Sequence, residues 1–223
     1  MKRVLLTAAI VVATAGAALA TDAFAYPDAG RWAGSYFGLQ GGGAFGTSRA
    51  YIPGGATTGN YDISGIIGGY TSGYNWQSDR MVFGIESDSS LTNLDGSATV
   101  AFCGVCVSEV HWLSTLRGRL GTIIGHQMGD VLVYVTGGLA YGGTEVGYTG
   151  AGSKKKVRFG WTAGAGGEIA LDEDWSAKVE YLFVDLGETT HPVGPVNFKF
   201  DNIHVVRVGI NRKFDIFEFL GIY

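Results

Sequence analysis

The sequence has few charged residues, two cysteines and four prolines in a chain of 223 residues. Charged residues make up 16% of the chain, against about 25% in a typical soluble domain. The formal net charge is −4, whereas proteins that bind nucleic acids usually present a basic patch. These shortages argue against an ordinary soluble domain and against a nucleic-acid partner.

Long apolar runs are missing after the N-terminal segment. That segment starts with Lys2 and Arg3, continues through the apolar or small residues Val4–Ala20, and contains two A-x-A sites. A basic start, an apolar middle and an A-x-A exit are the parts of a secretory signal peptide. We expect residues 1–25 to be a cleaved signal peptide, and residues 26–223 to form one mature domain.

Glycine, by contrast, is abundant, with 37 residues, and helix interiors tolerate glycine poorly. From residue 32 onward, stretches with a period of two alternate with polar or glycine-rich breaks, as expected for antiparallel strands. Eight strands are predicted, at 32–46, 61–77, 81–93, 109–124, 131–148, 157–171, 175–187 and 200–214.

The breaks between the predicted strands alternate in length. Short breaks lie at 78–80, 126–130 and 172–174, and longer ones lie at 47–60, 94–108, 149–156 and 188–199. Short turns at one end and long loops at the other are typical of outer-membrane barrels. The sequence therefore predicts an all-β fold, an eight-stranded antiparallel up-and-down transmembrane β-barrel.

Hairpin pairing places opposite charges across neighbouring strands on one face. The predicted interior ion pairs are Glu86 with Arg119, Asp88 with Arg117, Glu168 with Lys178, and Glu180 with Arg207. A slip of one residue in the register would move them all to the other face.

The opposite face of the same strands is apolar, as a lipid-facing surface requires, since a charge at mid-depth costs about 2–4 kcal/mol. A soluble barrel would have the reverse arrangement. This face reads Phe83 and Ile85; Trp112, Leu116 and Leu120; Phe159, Trp161, Ala163 and Ile169; Val179, Tyr181 and Phe183; Val206, Val208 and Ile210. Aromatic girdles are expected from Trp76, Trp112, Tyr141, Trp161 and Trp175.

Several segments resemble porin-family small outer-membrane β-barrel proteins, which are related to the OmpA membrane domain and the opacity proteins. They are Trp32–Gly43, Gly68–Gln77 with Phe83–Asp88, Leu116–Gly121, Tyr134–Tyr141 and Trp175–Tyr181. The resemblance implies an outer-membrane location and an eight-stranded barrel. The expected partners are outer-membrane lipid, lipopolysaccharide and the barrel-assembly machinery. The resemblance does not imply a solute pore.

The closing strand Arg207–Phe214 matches the family's assembly signal, except that Arg212 stands where an aromatic residue is common. The chain then continues through Asp215 to Tyr223, so either Phe214 or Tyr223 serves as the terminal signal.

Cys103 and Cys106 form a C-x-x-C pair in the predicted second long loop. A local disulfide is the favoured interpretation for an exported chain. Free or intermolecular thiols, a redox couple and a zinc site remain alternatives, although a redox motif needs a βαβ context. A zinc site needs two further ligands, and only His111 is near.

The histidines are His111, His126, His191 and His204. A rim active site would need several of them to meet at the outer end of the barrel, with His111, His191 and His204 as the candidates. We see no matching catalytic motif, and therefore expect surface histidines, no enzymatic activity and no cofactor.

One basic cluster, Lys154, Lys155, Lys156 and Arg158, lies at the predicted outer rim. It is a candidate contact for lipopolysaccharide phosphates, and a solvated loop is the alternative. The function expected from the sequence is a structural role in the envelope with surface display of loops, including contacts with host or other cells. The alternative is a narrow porin.

Overall fold

The computed structural model describes residues 30–126, 129–150, 152–187 and 196–214. The predicted signal peptide, His191 and the tail from Asp215 to Tyr223 lie outside the described residues. The strands are β1 (Gly34–Tyr51), β2 (Tyr61–Ser78), β3 (Met81–Val100), β4 (Gly104–His126), β5 (Gly129–Tyr148), β6 (Gly152–Ala170), β7 (Trp175–Asp185) and β8 (Asn197–Phe214).

The eight strands form one closed sheet in which each strand pairs antiparallel with its neighbours in sequence, and β1 pairs with β8. The prediction of an eight-stranded antiparallel up-and-down barrel is confirmed. Closure removes the free sheet edges, which in a hydrocarbon environment would leave backbone groups unpaired. Within the described part of the chain, no helix has the length and apolar character needed to span a membrane.

The strands are longer than predicted at the end that carries the long connections. β3 runs to Val100 and β4 starts at Gly104, so most of the predicted loop 94–108 is strand. β6 starts at Gly152, so most of the predicted loop 149–156 is strand as well. These segments look polar because their outward residues are polar, but inward residues such as Leu94 and Val110 are buried.

The outward face carries a hydrophobic belt, as predicted. Its side chains are 42% to 74% exposed. The belt consists of Phe37, Leu39, Phe83, Ile85, Leu116, Leu120, Val133, Val135, Leu139, Phe159, Trp161, Val179, Tyr181, Val206, Val208 and Ile210. Along β5 the outward residues of the belt and of its two edges run from Val131 to Tyr141. Ten residues of a strand tilted by about 40° rise about 25 Å, which is the height of the apolar band of membrane barrels.

Aromatic rings mark both edges of the belt. At the edge near the short turns, Trp76 contacts Tyr74 and Phe83, with ring centroids 4.8 and 5.6 Å apart, and Trp175 lies at the start of β7. The rings at the other edge form two series of contacts. They are Trp112, Tyr141, Phe159, Trp161, Phe183, His204 and Phe45.

The interior has three levels. A small apolar cluster lies at the short-turn end, formed by Trp32, Val82, Leu132 and Tyr134. The middle holds a charge network, described below. The end with the long connections is filled by an apolar plug, formed by Ala44, Ala50, Tyr61, Ile63, Ile67, Leu94, Cys103, Cys106, Val110, Leu113, Ala140, Val146, Leu182, Val184, Leu186, Val196, Phe198, Phe200, Ile203 and Val205.

The backbones of β1 and β8 approach each other closely at Gly42, and a substitution there tests this contact. A Cβ atom at Gly42 would lie 2.0 Å from the carbonyl oxygen of Val206 and 2.7 Å from Cα of Arg207, whereas at the adjacent Gly41 the nearest atom, the Ile67 carbonyl oxygen, is 3.6 Å away. We predict that Gly42→Ala destabilises the barrel by about 1–3 kcal/mol, the usual cost of overpacking. Gly41→Ala is the matched control and should be tolerated. Urea unfolding in lipid vesicles measures both, and equal stability of the two variants would contradict the close approach.

Candidate functional site

The middle of the barrel holds four cationic and four carboxylate side chains, each no more than 4% exposed. They are Arg117, Arg119, Lys178 and Arg207, with Glu86, Asp88, Glu168 and Glu180. We call these eight residues the charge network. Buried charges are tolerated only when they are paired and hydrogen-bonded. Equal numbers of the two signs make the network electrically balanced.

Arg117 on β4 lies at the centre of the network. Its guanidinium donates to Glu86, to Asp88 Oδ2 at 3.0 Å, and to Glu180 Oε1 at 3.0 Å. Lys178 Nζ donates to the other oxygen of Glu86 at 2.8 Å. Three strands, β3, β4 and β7, are therefore joined through the lumen by one guanidinium and one ammonium group.

Arg207 on β8 connects two of the carboxylates. Its Nε donates to Glu180 Oε2 at 2.8 Å, and its Nη1 donates to Asp88 Oδ1 at 3.0 Å. Thr115 Oγ1 donates to Asp88 Oδ2 at 2.5 Å. A planar guanidinium suits such simultaneous contacts because its donors are fixed in one fork.

Arg119 extends the network toward the short-turn end. It donates to Glu168 Oε2 at 2.7 Å and to the Tyr36 hydroxyl at 3.1 Å, and it stacks 4.1 Å from the ring centroid of Tyr134. The Tyr36 hydroxyl in turn donates to Glu86 Oε2 at 2.7 Å. The hydroxyl and aromatic groups thus complete the hydrogen bonding that the charges require.

The predicted pairs Glu86–Arg119 and Asp88–Arg117 are ion pairs in the structure, at 3.6 and 3.0 Å. The register of β3 against β4 nevertheless differs from the prediction by two residues. Glu86 lies opposite Arg117 rather than Arg119, and Asp88 lies opposite Thr115. The register shifts between Leu91 and Leu94, and the connection is far shorter than the predicted loop. Both features shift the midpoint of the β3–β4 hairpin, from which the paired residues were predicted.

The registers of the other two predicted pairs are as expected, with Glu168 opposite Lys178 and Glu180 opposite Arg207. Lys178 nevertheless donates across the lumen to Glu86. Glu168 accepts hydrogen bonds from Arg119, from Ser176 at 2.5 Å and from Asn211 at 2.8 Å. Partner choice in the lumen is therefore set by the whole ring and not by each hairpin.

The predicted basic cluster is divided by the strand alternation. Arg158 is 1% exposed and points into the barrel. Its Nη1 donates to the Gly187 carbonyl oxygen at 3.3 Å, and the guanidinium lies 4.9 Å from the ring centroid of Phe200. The prediction that Arg158 contacts lipopolysaccharide is therefore wrong. Lys154, Lys155 and Lys156 are exposed.

Cys103 and Cys106 are joined by a disulfide. Both residues are buried in the apolar plug, at 3% and 0% exposure. With both sulfurs bonded to each other, neither is present as the thiolate that a zinc site would use.

The described histidines lie on strands that are far apart in the ring. His111 belongs to β4 and His204 to β8, so the two are separated by half of the barrel. His204 lies among the outward aromatic rings, and its Nδ1 is 2.6 Å from the Tyr181 hydroxyl. The side chain of His126 is not described. These positions do not bring His111 and His204 together at a rim site.

Two carboxyl groups beyond the belt have shifted pKa values. The backbone amides of Trp175 and Asp174 donate to Asp172 Oδ1 at 2.7 and 2.9 Å and lower the pKa of this carboxyl. At the other end of the barrel, two hydrogen bonds lower the pKa of Glu145 to about 2. The larger contribution comes from Ser153 and the next from His111. Both carboxyl groups are therefore ionised at neutral pH.

Sequence reasoning found the eight charged members of the network but missed the groups that complete it. Tyr36, Thr115, Tyr134 and Asn211 occupy inward positions of the same strands, so the period of two contained the signal for them. The apolar plug was missed because its strand segments were assigned to loops.

Several known proteins are similar to this chain. A family model described as outer membrane protein beta-barrel domain matches residues 5–214. The 31 kDa outer-membrane immunogenic protein of Brucella melitensis is 34% identical over 204 residues, covering 82% of this chain and 84% of the relative. The 22 kDa outer membrane protein of Rhizobium leguminosarum is 30% identical over 191 residues, covering 83% and 80%. The crystal structure of OprG from Pseudomonas aeruginosa is similar with a TM-score of 0.48 at 14% identity, covering 82% and 97%.

The charge network predicts a specific pattern of mutant stabilities. Glu86→Gln leaves four cations with three carboxylates, and Lys178→Met leaves the reverse imbalance. We expect each single variant to be destabilised by about 3–5 kcal/mol, because removal of one partner leaves an uncompensated buried charge. The double variant restores the charge balance. Its loss of unfolding free energy should therefore be smaller than the sum of the two single-variant losses by at least about 1 kcal/mol.

Denaturant unfolding of all four proteins in the same vesicles measures this cycle. Glu173→Gln, in an exposed turn, is the matched control for loss of a carboxylate and should have wild-type stability. Strict additivity of the two lumen substitutions would show that Glu86 and Lys178 do not interact.

Proposed function

Because the chain belongs to the outer membrane protein β-barrel domain family, we propose that it acts as a filled structural barrel which displays a rigid surface beyond the membrane, and neither as a solute channel nor as an enzyme. It is located in the outer membrane, as its relatives are. The observation that carries this proposal is the succession of three packed levels inside the barrel.

Barrels of about eight strands have interiors just wide enough for side chains to fill. Here the charge network crosses the lumen, with contacts of about 3 Å from Arg117 to carboxylates on β3 and β7. A permeating ion would have to separate these charges in a region shielded from water, where Coulomb attraction is strong. This cost supports a sealed barrel over the alternative of a narrow porin.

The apolar plug supports the same conclusion. It occupies the barrel beyond the charge network, and its large side chains Leu182, Phe198 and Phe200 are each 1% exposed. A hydrophobic constriction opposes ion passage because ions cannot shed their hydration there. A solute would therefore meet two barriers of different chemistry in series.

The display role rests on the strands that extend past the belt. Two of their connections, at 101–103 and 149–151, are short, so β3 to β6 present mainly sheet beyond the membrane. The outward side chains there include Asp62, Asp95 and Lys155, all exposed. A packed interior holds this surface in one conformation, which suits an interaction platform more than a flexible set of loops.

Partners remain predictions. The family and the location support the proposal of contact with lipid and lipopolysaccharide, of insertion by the barrel-assembly machinery, and of contacts with host or other cells. For lipopolysaccharide, the contact residues we propose are Lys154, Lys155 and Lys156.

Planar-bilayer recording tests the sealed barrel. We expect the refolded wild-type protein to insert without stepwise conductance, because both interior barriers remain in place. A general porin recorded in the same bilayers is the positive control. Reproducible open channels on the nanosiemens scale would overturn the sealed-barrel proposal and favour the porin.

Lipopolysaccharide contact is tested by thermal unfolding in phospholipid vesicles with and without lipopolysaccharide. We predict that lipopolysaccharide stabilises the wild type, and that replacing Lys154, Lys155 and Lys156 by Gln removes most of this gain by deleting three phosphate contacts. Arg80→Gln, in an exposed turn at the opposite end, is the control and should keep the gain. An unchanged gain in the triple variant would rule out these lysines as the contact.

A further inference from the structure

A β-bulge on β4 places an additional side chain on the outward face just above the hydrophobic belt. The register with β5 shifts between Val110 and Trp112, so that His111 has no cross-strand partner. Bulges of this kind redirect a side chain and are frequent beside functional sites. Here His111 and Trp112 both come to lie on the outward face, with Trp112 in the aromatic edge and His111 beyond it.

The imidazole of His111 converges with two carboxylates. Its Nε2 lies 2.8 Å from Glu145 Oε2 and 3.6 Å from Glu109 Oε2. One donor atom from each of the three residues lies within 4.8 Å of the others. Glu109 and Glu145 are themselves directly opposed across the β4–β5 pair, a like-charge arrangement that destabilises a sheet unless a cation offsets it.

Glu145 is held so that one oxygen points to this centre. Ser153 Oγ donates to Glu145 Oε1 at 2.5 Å, which leaves Oε2 facing the imidazole. Hydrogen bonds of this type orient carboxylate ligands in metal sites.

The cation now beside the carboxylates is Lys155, whose Nζ lies 3.2 Å from Glu145 Oε2. The Lys155 side chain is 75% exposed, so it can swing into solvent at little cost. An ammonium group compensates charge without requiring a fixed geometry, and a metal ion of higher charge would compete with it for the same oxygen.

We propose that Glu109, His111 and Glu145 form a binding site for a divalent transition-metal ion of the zinc type. Imidazole with carboxylate oxygens is a donor set that such ions accept. Ligand bonds of about 2.0–2.2 Å in a tetrahedron place donor atoms about 3.3–3.5 Å apart. The His111–Glu109 separation already fits, and the His111–Glu145 separation needs to widen by about half an ångström.

The position of the site gives it an open side. The Glu109 and His111 side chains are 40% and 42% exposed, so a metal held there keeps coordination positions for water or for an anionic oxygen from outside the barrel. The site lies just beyond the aromatic edge formed on these strands by Trp112 and Tyr141.

Isothermal titration of untagged, refolded protein in detergent micelles with Zn²⁺ tests the site. We expect one saturable ion per chain, with His111→Ala and Glu145→Gln each weakening the affinity at least about tenfold. Lys155→Met should strengthen it severalfold, since the competing ammonium group is gone. His204→Ala, at the other described histidine, is the control and should bind as the wild type does.

The opposite signs expected for the His111 and Lys155 variants separate a metal site from a structural cluster. Heat-modifiable migration on gels verifies that each variant is folded before titration. Absence of saturable Zn²⁺ binding by the folded wild type, unchanged affinity in His111→Ala, or weaker binding in Lys155→Met would each overturn the proposal.

Discussion

Closure of the sheet is the constraint on which the rest of this structure depends. In hydrocarbon every backbone amide must find a partner within the protein, and pairing β8 with β1 achieves this for a chain of only eight strands. Eight strands leave an interior wide enough for side chains and little else. Charges placed in so narrow a space have to neutralise one another, because water cannot do so. The balanced set around Arg117 is therefore a consequence of closure as much as of the sequence.

The same strands reverse their polarity along their length. Within the belt they are apolar outside and charged inside, with Leu120 facing outward and Arg119 inward on β4. Beyond the belt they follow the rule of soluble proteins, with Leu94 and Val110 inside and Asp95 and Glu109 outside. The hydrophobic effect explains both arrangements, because apolar side chains avoid water. Beyond the belt, water surrounds the barrel and apolar side chains turn inward. Within the belt, lipid surrounds the barrel and apolar side chains turn outward.

Much of the fold could be predicted from the period of two. The alternation located the strands and assigned Glu86, Arg117, Glu180 and Arg207 to the interior. The β3–β4 register could not be predicted, because the irregularity between Leu91 and Leu94 leaves no mark in the hydrophobic pattern. Lys178 was assigned to its hairpin neighbour Glu168, yet it donates across the lumen to Glu86, and only ring closure brings those residues together. Arg158 looked like part of a basic surface run, although alternation alone turns it inward.

Strand pairing beyond the membrane determines how this surface can be recognised. Where the strands enclose the apolar plug, every second side chain points into the barrel. Residues that are neighbours on this surface, such as Glu109 and Glu145, come from different strands. A molecule that recognises these paired strands therefore reads a discontinuous pattern, which exists only while the barrel is assembled. The outward half of that pattern can also change without disturbing the packing behind it.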